Sequence, residues 1–187
     1  MLLRVSGILV LCASIKTPNM TTEELTKIEN ELYSAVIEIY NQEQTSELNN
    51  RLMDIFISYR QVHIDYSDLS KQNDEALKRG LFIQWYALTE PSYLTGIENI
   101  DQDAEAIIID TIEERICNNT LDKELKWMLN YYATWDFVFD RFKNRKGLAQ
   151  VLANKTDYLF PTKVDRESMK KRGQMGRYWN SLARLAK

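Results

Sequence analysis

A chain of 187 residues with 44% hydrophobic and 27% charged side chains has the size and composition of one globular domain with a sizeable core, which excludes a largely disordered protein. Six glycines and three prolines are too few for the turns of a β-sandwich or barrel, and two cysteines, Cys12 and Cys117, exclude a disulfide framework or cysteine metal site and fit a reducing compartment. The formal net charge of −3 conceals a dipole: residues 141–187 hold thirteen Lys and Arg against three Asp and Glu, a balance of +10, which leaves −13 for residues 1–140.

The first residues, MLLR followed by VSGILVLCASI, have the outline of a secretory signal, with one cation and then an apolar run too short to span a membrane. Leu11 before Cys12 does not suit a lipoprotein signal. The competing reading takes Met20 as the start and residues 1–19 as an upstream extension. A cytoplasmic location is the expectation, with secretion the alternative if residues 1–14 act as a signal. No transmembrane span is expected.

Thr21 and Glu24 form the sequence signature of a capping box, and a helix is expected from about Thr22 to Asn41 with Leu25, Ile28, Leu32, Ala35, Val36 and Ile39 as its buried stripe. Leu48, Leu52, Ile55, Phe56, Tyr59 and Val62 predict a second helix from Ser46 to about Ile64. The short link Gln42 to Thr45 makes the pair an αα-hairpin. Asp65 to Asn73 reads as a polar turn. A third helix runs from Asp74 to Thr89, stopped by Pro91, and Gly80 inside it marks a close helix crossing. Glu90 to Ile100 is a connector with one helical turn. A fourth helix starts at Asn99 or Asp101, buries Ala104, Ile107, Ile108, Ile112 and Ile116, and ends at Asn118-Asn119.

Leu121 to Phe142 holds the densest run of large apolar side chains. Leu121, Leu125, Met128, Tyr132, Trp135, Phe139 and Phe142 recur at spacings of three and four, with Trp127, Tyr131 and Val138 widening the stripe, so one long core helix is expected around which the others gather. Gly147 suits its C-terminal cap. A shorter helix, Leu148 to Asn154, and an irregular stretch, TDYLFPTKV, precede the last helices between Asp165 and Leu185, which break near Gly173 and Gly176 and share the face Met175, Tyr178, Leu182 and Leu185. The sum is an all-α fold of about six to seven amphipathic helices, in an orthogonal bundle or irregular stacked αα-hairpins. Residues 20–164 form the helical domain, with 165–187 a basic segment docked on it.

Signatures of chemistry are absent from this pattern. Asp101, Asp103 and Glu105 imitate a calcium loop, but Ala106 and Ile112 occupy the positions that need glycine and glutamate, so these acids suit a helix first turn. Asp136 and Asp140 lie one turn apart without a third ligand and read as a solvated face. His63, the only histidine, reads as a polar helix terminus near Asp65, and Cys117 as a small packed residue. No phosphate loop and no G-x-S-x-G motif is present. Sequons at Asn19, Asn118 and Asn154 matter only for a chain secreted by a eukaryotic cell. No catalytic, metal-binding or cofactor residue is assigned.

The charge dipole is what exceeds the ordinary. Arg166, Lys170, Lys171, Arg172, Arg177 and Arg184, interleaved with Tyr178 and Trp179, are residue types that contact nucleic-acid phosphates and bases or a protein partner. The first reading is a non-catalytic helical module that binds another protein, its acidic body suited to a basic partner in the manner of an inhibitor or immunity protein. A nucleic-acid-associated protein using the basic C-terminal segment is the second. An enzyme without a recognisable motif is the third.

Overall fold

The computed structural model describes residues 20–153 and 165–185, the side chains of 184 and 185 excepted. The signal-like stretch, the acceptors of two sequons, Asn19 and Asn154, the side chain of Arg184 and the irregular stretch after Asn154 lie outside the described residues. Among those described, the fold is all-helical: α1 (Thr22–Tyr40), α2 (Ser46–Ser70), α3 (Asp74–Thr89), α4 (Ser92–Thr95), α5 (Gln102–Cys117), α6 (Lys123–Tyr132), α7 (Lys146–Ala153), α8 (Arg166–Met169) and α9 (Gly173–Leu185). No helix there is long and apolar enough to cross a membrane.

The caps explain most boundaries. Thr21 and Glu24 close a reciprocal box, with Glu24 N–H on Thr21 Oγ1 at 3.2 Å and Thr21 N–H on Glu24 Oε2 at 2.7 Å. Thr45, Asn73, Asp101 and Asp122 likewise accept from the first turns of α2, α3, α5 and α6. Asp101 is therefore a cap, with Asp103 in the turn behind it.

Four boundaries depart from expectation. First, α2 does not end at Ile64 but continues to Ser70. Ser67 and Ser70 return their hydroxyls to backbone carbonyls of Ile64 and Ser67 at 2.7 Å each, so these polar residues are satisfied inside a helix that buries Tyr66 completely. Second, the aromatic helix stops at Tyr132, with Ala133 as its C-terminal cap. The chain then turns over residues 133–139, which returns Val138 and Phe139 to the core and sets Trp135 edge-on against Trp85 at 5.2 Å, before a 3₁₀ segment at Asp140–Phe142. Third, Gly147 is not a C-terminal cap but the second residue of α7, and Gly147 and Leu148 N–H donate to the Glu113 carboxylate at 2.8 Å each. A carboxylate on α5 thus caps α7. Fourth, only Gly173 breaks the terminal helices; Gly176 lies within α9, where a Cβ would collide with the Met169 carbonyl.

Packing places α3 at the centre, rather than residues 121–142. Ala76 through Trp85 are buried without interruption, which means that this helix is enclosed on all sides. It packs on α2, α5 and α9, and at Gly80 it crosses α5 so closely that a Cβ would come within 2.5 Å of Ile108 Cδ1. The α1–α2 hairpin forms one flank and α5, α6 and α7 the other. The last helix returns to α1 and α3, closing a bundle, whereas a solenoid would leave its two ends apart.

Candidate functional site

The polar centre of the molecule starts from a carboxylate in an apolar stripe. Glu29 follows Leu25 by one turn on the inner face of α1 and is 1% exposed. Its Oε1 accepts the hydroxyl of Tyr66, and its Oε2 accepts the backbone N–H of Gln174 at 3.1 Å. Arg79 lies 3.9 Å away. Burial pushes the Glu29 carboxyl up, and the Tyr66 hydroxyl, the Arg79 charge and the Gln174 amide offset part of that push. Gln174 is the second residue of α9, so Glu29 caps a helix from across the bundle. Gly173 makes this approach feasible: its φ is +57°, and any Cβ there would strike the Glu29 carboxylate. The Gln174 side chain then donates to Tyr59 and, at 2.6 Å, to the Thr95 carbonyl, while Tyr59 donates to the Glu29 carbonyl at 3.1 Å.

A second layer carries the charge. Arg172 forks onto Glu75, with Nε to Oε1 at 2.8 Å and Nη2 to Oε2 at 2.7 Å, and its Nη1 reaches Glu124. Lys78 bridges Glu124 and Asp122 at 2.7 Å each. Burial disfavours the charge on Arg172, yet Glu75 and Glu124 together hold its guanidinium above its usual range. For Glu124 burial works upward, but Arg172 and Lys78 keep the carboxyl below its usual range. Arg79 completes the layer, donating to Glu75 at 2.8 Å, to Tyr66 at 3.1 Å and to the Lys171 carbonyl at 2.8 Å.

The third layer is aromatic. Trp85 is fully buried, stacked on Tyr132 at 4.5 Å, with Trp135, Tyr178 and Trp179 within 6.4 Å. The hydroxyls of Tyr131 and Tyr178 meet at 2.9 Å. These rings seat α9 against α3 and α6.

The sequence-predicted contact residues divide into two groups. Arg172 and Trp179 are buried and Tyr178 is half-buried, all three turned into the bundle. Their faces are used internally. Arg166, Lys170, Lys171 and Arg177 stay exposed: Arg166 donates to the Ala183 carbonyl at 3.1 Å, Lys170 pairs with Glu167 at 2.7 Å, and Arg177 covers the Tyr33 ring at 5.1 Å and bonds Asn30. The basic balance of residues 141–187 is further drawn inward by Arg141 on Glu105 at 2.5 Å and by Arg145 on Asp110. Lys170 and Lys171 do border a surface groove of about 750 Å³, but Glu23, Glu31 and Glu38 line it too, so it is not a cationic track.

Two further expectations are corrected. Cys117 is exposed at the end of α5 instead of packed. His63 is not at a helix terminus: it lies mid-α2, fully buried, and neither ring nitrogen has a hydrogen-bond partner. Burial pushes its pKa down to about 4, against a weak upward pull from Asp101. The unfolded chain therefore binds a proton below the ordinary value of 6.5 that the native chain refuses until about 4, and stability attributable to this residue falls as pH drops through that window. Glu29, Asp65 and Glu105, whose carboxyls burial raises, act in the opposite sense, so the wild-type curve is a composite. Comparison with His63→Leu isolates the histidine. The variant is expected to be the more stable protein at pH 7, and its advantage in urea denaturation should grow by about 3 kcal/mol between pH 6.5 and 4. A constant difference across that range would contradict the assignment.

Among the described residues no group of three or more His, Cys, Asp or Glu is arranged to hold a metal ion. Of the seven large exposed apolar side chains among the described residues, Ile37, Tyr40, Met53 and Ile57 belong to the α1–α2 hairpin, and Tyr93 stacks on Tyr40 at 6.4 Å. The same stretch, residues 37–58, carries four exposed acids, Glu38, Glu43, Glu47 and Asp54, against one cation, Arg51. No protein family, curated protein or solved structure matches this chain.

Proposed function

We propose that the protein is a non-catalytic helical module that binds another protein, with a basic partner docking on the α1–α2 hairpin. The observation that supports this reading is the composition of that hairpin, which exposes Ile37, Tyr40, Met53 and Ile57 together with four carboxylates and one cation. Met53 and Ile57 are one helical turn apart and 52% and 67% exposed, an anchor pair that a folded protein gains nothing by leaving in water. Acidic side chains around such anchors accelerate encounter with a cationic surface and select against acidic ones. An inhibitor-like or immunity-like role is one form this binding can take.

Affinity capture from native lysate tests the reading. The wild-type chain is expected to retain a basic protein in a salt-sensitive manner, and Ile57→Asp, which changes only an exposed position, is expected to lose it while leaving thermal stability within about 0.5 kcal/mol. Repeated recovery of the chain alone, as a monomer, would count against it. The second reading, nucleic-acid association, is favoured by the exposure of Arg166, Lys170 and Lys171 in and just after α8. It is supported if the captured material is nucleic acid and depends on Lys170 and Lys171, beyond the C-terminal end of α8, rather than on Ile57.

A further inference from the structure

Successive residues of an α-helix turn by about 100°, so Leu48, Ile55, Tyr59, Val62, Tyr66 and Ser70 fall together on the side of α2 that is buried against α1, α3 and α5. Met53, Ile57 and Ile64 line up on the outer side, the first two exposed and Ile64 half-buried. Along one edge of that line run Glu47, Asp54, Asp65 and Asp68, over a length of about 30 Å. The cations of the helix do not cancel them. Arg60 lies on the other edge and is turned to Asp101 at 2.8 Å, Arg51 stands one turn beyond Glu47 without pairing to it, and among the described residues no salt bridge reaches any of the four carboxylates. Asp65 shows the deficit most clearly. Its Oδ1 accepts from Gln61 Nε2 at 2.9 Å, but its Oδ2 is buried and unpartnered, and burial, followed by the charge of Asp68, raises its carboxyl against the pull of the Gln61 hydrogen bond. A cation is what this end of α2 lacks.

We infer that the outer face of α2 seats a basic amphipathic helix of another protein, its aliphatic side chains over Met53, Ile57 and Ile64 and its Lys or Arg side chains along Glu47, Asp54, Asp65 and Asp68. Apolar positions at spacings of four and seven are what a second helix packs on, and a carboxylate edge beside them sets the charge of the helix that fits. The basic C-terminal segment of this chain is seated elsewhere, through Arg172 on Glu75 and Tyr178 on Tyr131. A second copy laid on the same face would set carboxylates against carboxylates. The inference rests on the protein-binding reading above and narrows it: it fixes the partner's element and carries the surface beyond the hairpin tip to the last turns of α2.

The probe is a designed peptide of about 28 residues, a heptad repeat with leucine at a and d, lysine at e and g and alanine elsewhere. Its control is a shuffled peptide of the same composition in which leucine no longer recurs at spacings of three and four. The full-length protein, labelled with nitrogen-15, is titrated with each. Amide shifts are expected along α2 at the outer positions from Asn50 to Asp68, and the shuffled peptide is expected to bind at least tenfold more weakly. Ile57→Asp removes an apolar seat yet adds a negative charge, and is expected to weaken binding about tenfold; the double variant Asp54→Lys, Asp68→Lys is expected to weaken it by about tenfold or more. Both alter exposed positions only, and thermal unfolding checks that each variant is folded. No shift at millimolar peptide, equal affinity for the shuffled peptide, binding that Ile57→Asp leaves unchanged or tightens, or shifts confined to other helices would each overturn the inference. The broader reading fails separately: a basic protein retained from lysate through Ile57, with no response to the peptide, leaves protein binding standing and overturns the helix.

Discussion

Replacing Arg172 with alanine is expected to lower unfolding stability by about 3 kcal/mol, read as a fall in the urea midpoint without a change in slope. The guanidinium is 11% exposed and holds two carboxylates from different helices, Glu75 on α3 and Glu124 on α6. Truncation leaves both partly desolvated. Each keeps one other cation, Arg79 for Glu75 and Lys78 for Glu124, which places the loss at the low end of what breaking a buried pair costs. Arg172→Lys keeps the charge but cannot fork onto both oxygens of Glu75 and reach Glu124, so an intermediate loss is expected. If the lysine variant equals wild type, charge alone matters and the fork does not.

Trp85→Ala is expected to cost more, about 3–5 kcal/mol, because it removes the ring on which the aromatic layer is assembled. Trp85 is fully buried between Tyr132, stacked at 4.5 Å, and the edges of Trp135 and Tyr178 at 5.2 and 5.0 Å, so the cavity would open between α3, α6 and α9 at once. Collapse around it is limited by the stiffness of the remaining rings. Trp85→Phe is the informative companion, since the indole Nε1 has no hydrogen-bond partner and its removal relieves an unsatisfied donor while leaving most of the packing. A loss below 2 kcal/mol for the alanine variant, by chemical denaturation, would show that the aromatic layer is a peripheral cluster.

The helices themselves were legible because their signals are local. Capping residues such as Thr21, Asn73 and Asp101, and the stripes of α1, α3 and α5, are written in spacings of three and four that the folded chain keeps. Two of the misread elements depended on a partner far away in sequence. Residues 121–142 do carry one apolar periodicity, but the contacts of Trp135 with Trp85 and the burial of Val138 and Phe139 are met by turning the chain after Tyr132. Gly147 looked like a helix end because Glu113, the carboxylate that makes it a helix start, is 34 residues away.

The polar centre was missed for a related reason. Glu29 falls on the apolar stripe of α1, between Leu25 and Leu32, and Arg79 falls inside the buried run of α3; a charge in register with core residues was the signal available, and it names no partner. The basic excess of the C-terminal segment and its docking on the acidic body were both visible, but charge and spacing do not say which of its residues, Arg172 and Trp179 among them, are used internally. In the fold these two turn inward while Lys170, Lys171 and Arg177 face solvent.

The central claim is that residues 172–182 are an integral part of the bundle, held by the buried Glu29, the half-buried Glu75 and Glu124, and aromatic rings. Native-state hydrogen exchange measures this directly at the amide of Gln174, which donates to Glu29 in the interior, and along α9 to Leu182. The account predicts opening free energies for these amides within about 1 kcal/mol of those in α3, so that the segment and the central helix unfold together. Exchange of the α9 amides at the rate of an unstructured peptide, while α3 remains protected, would contradict it.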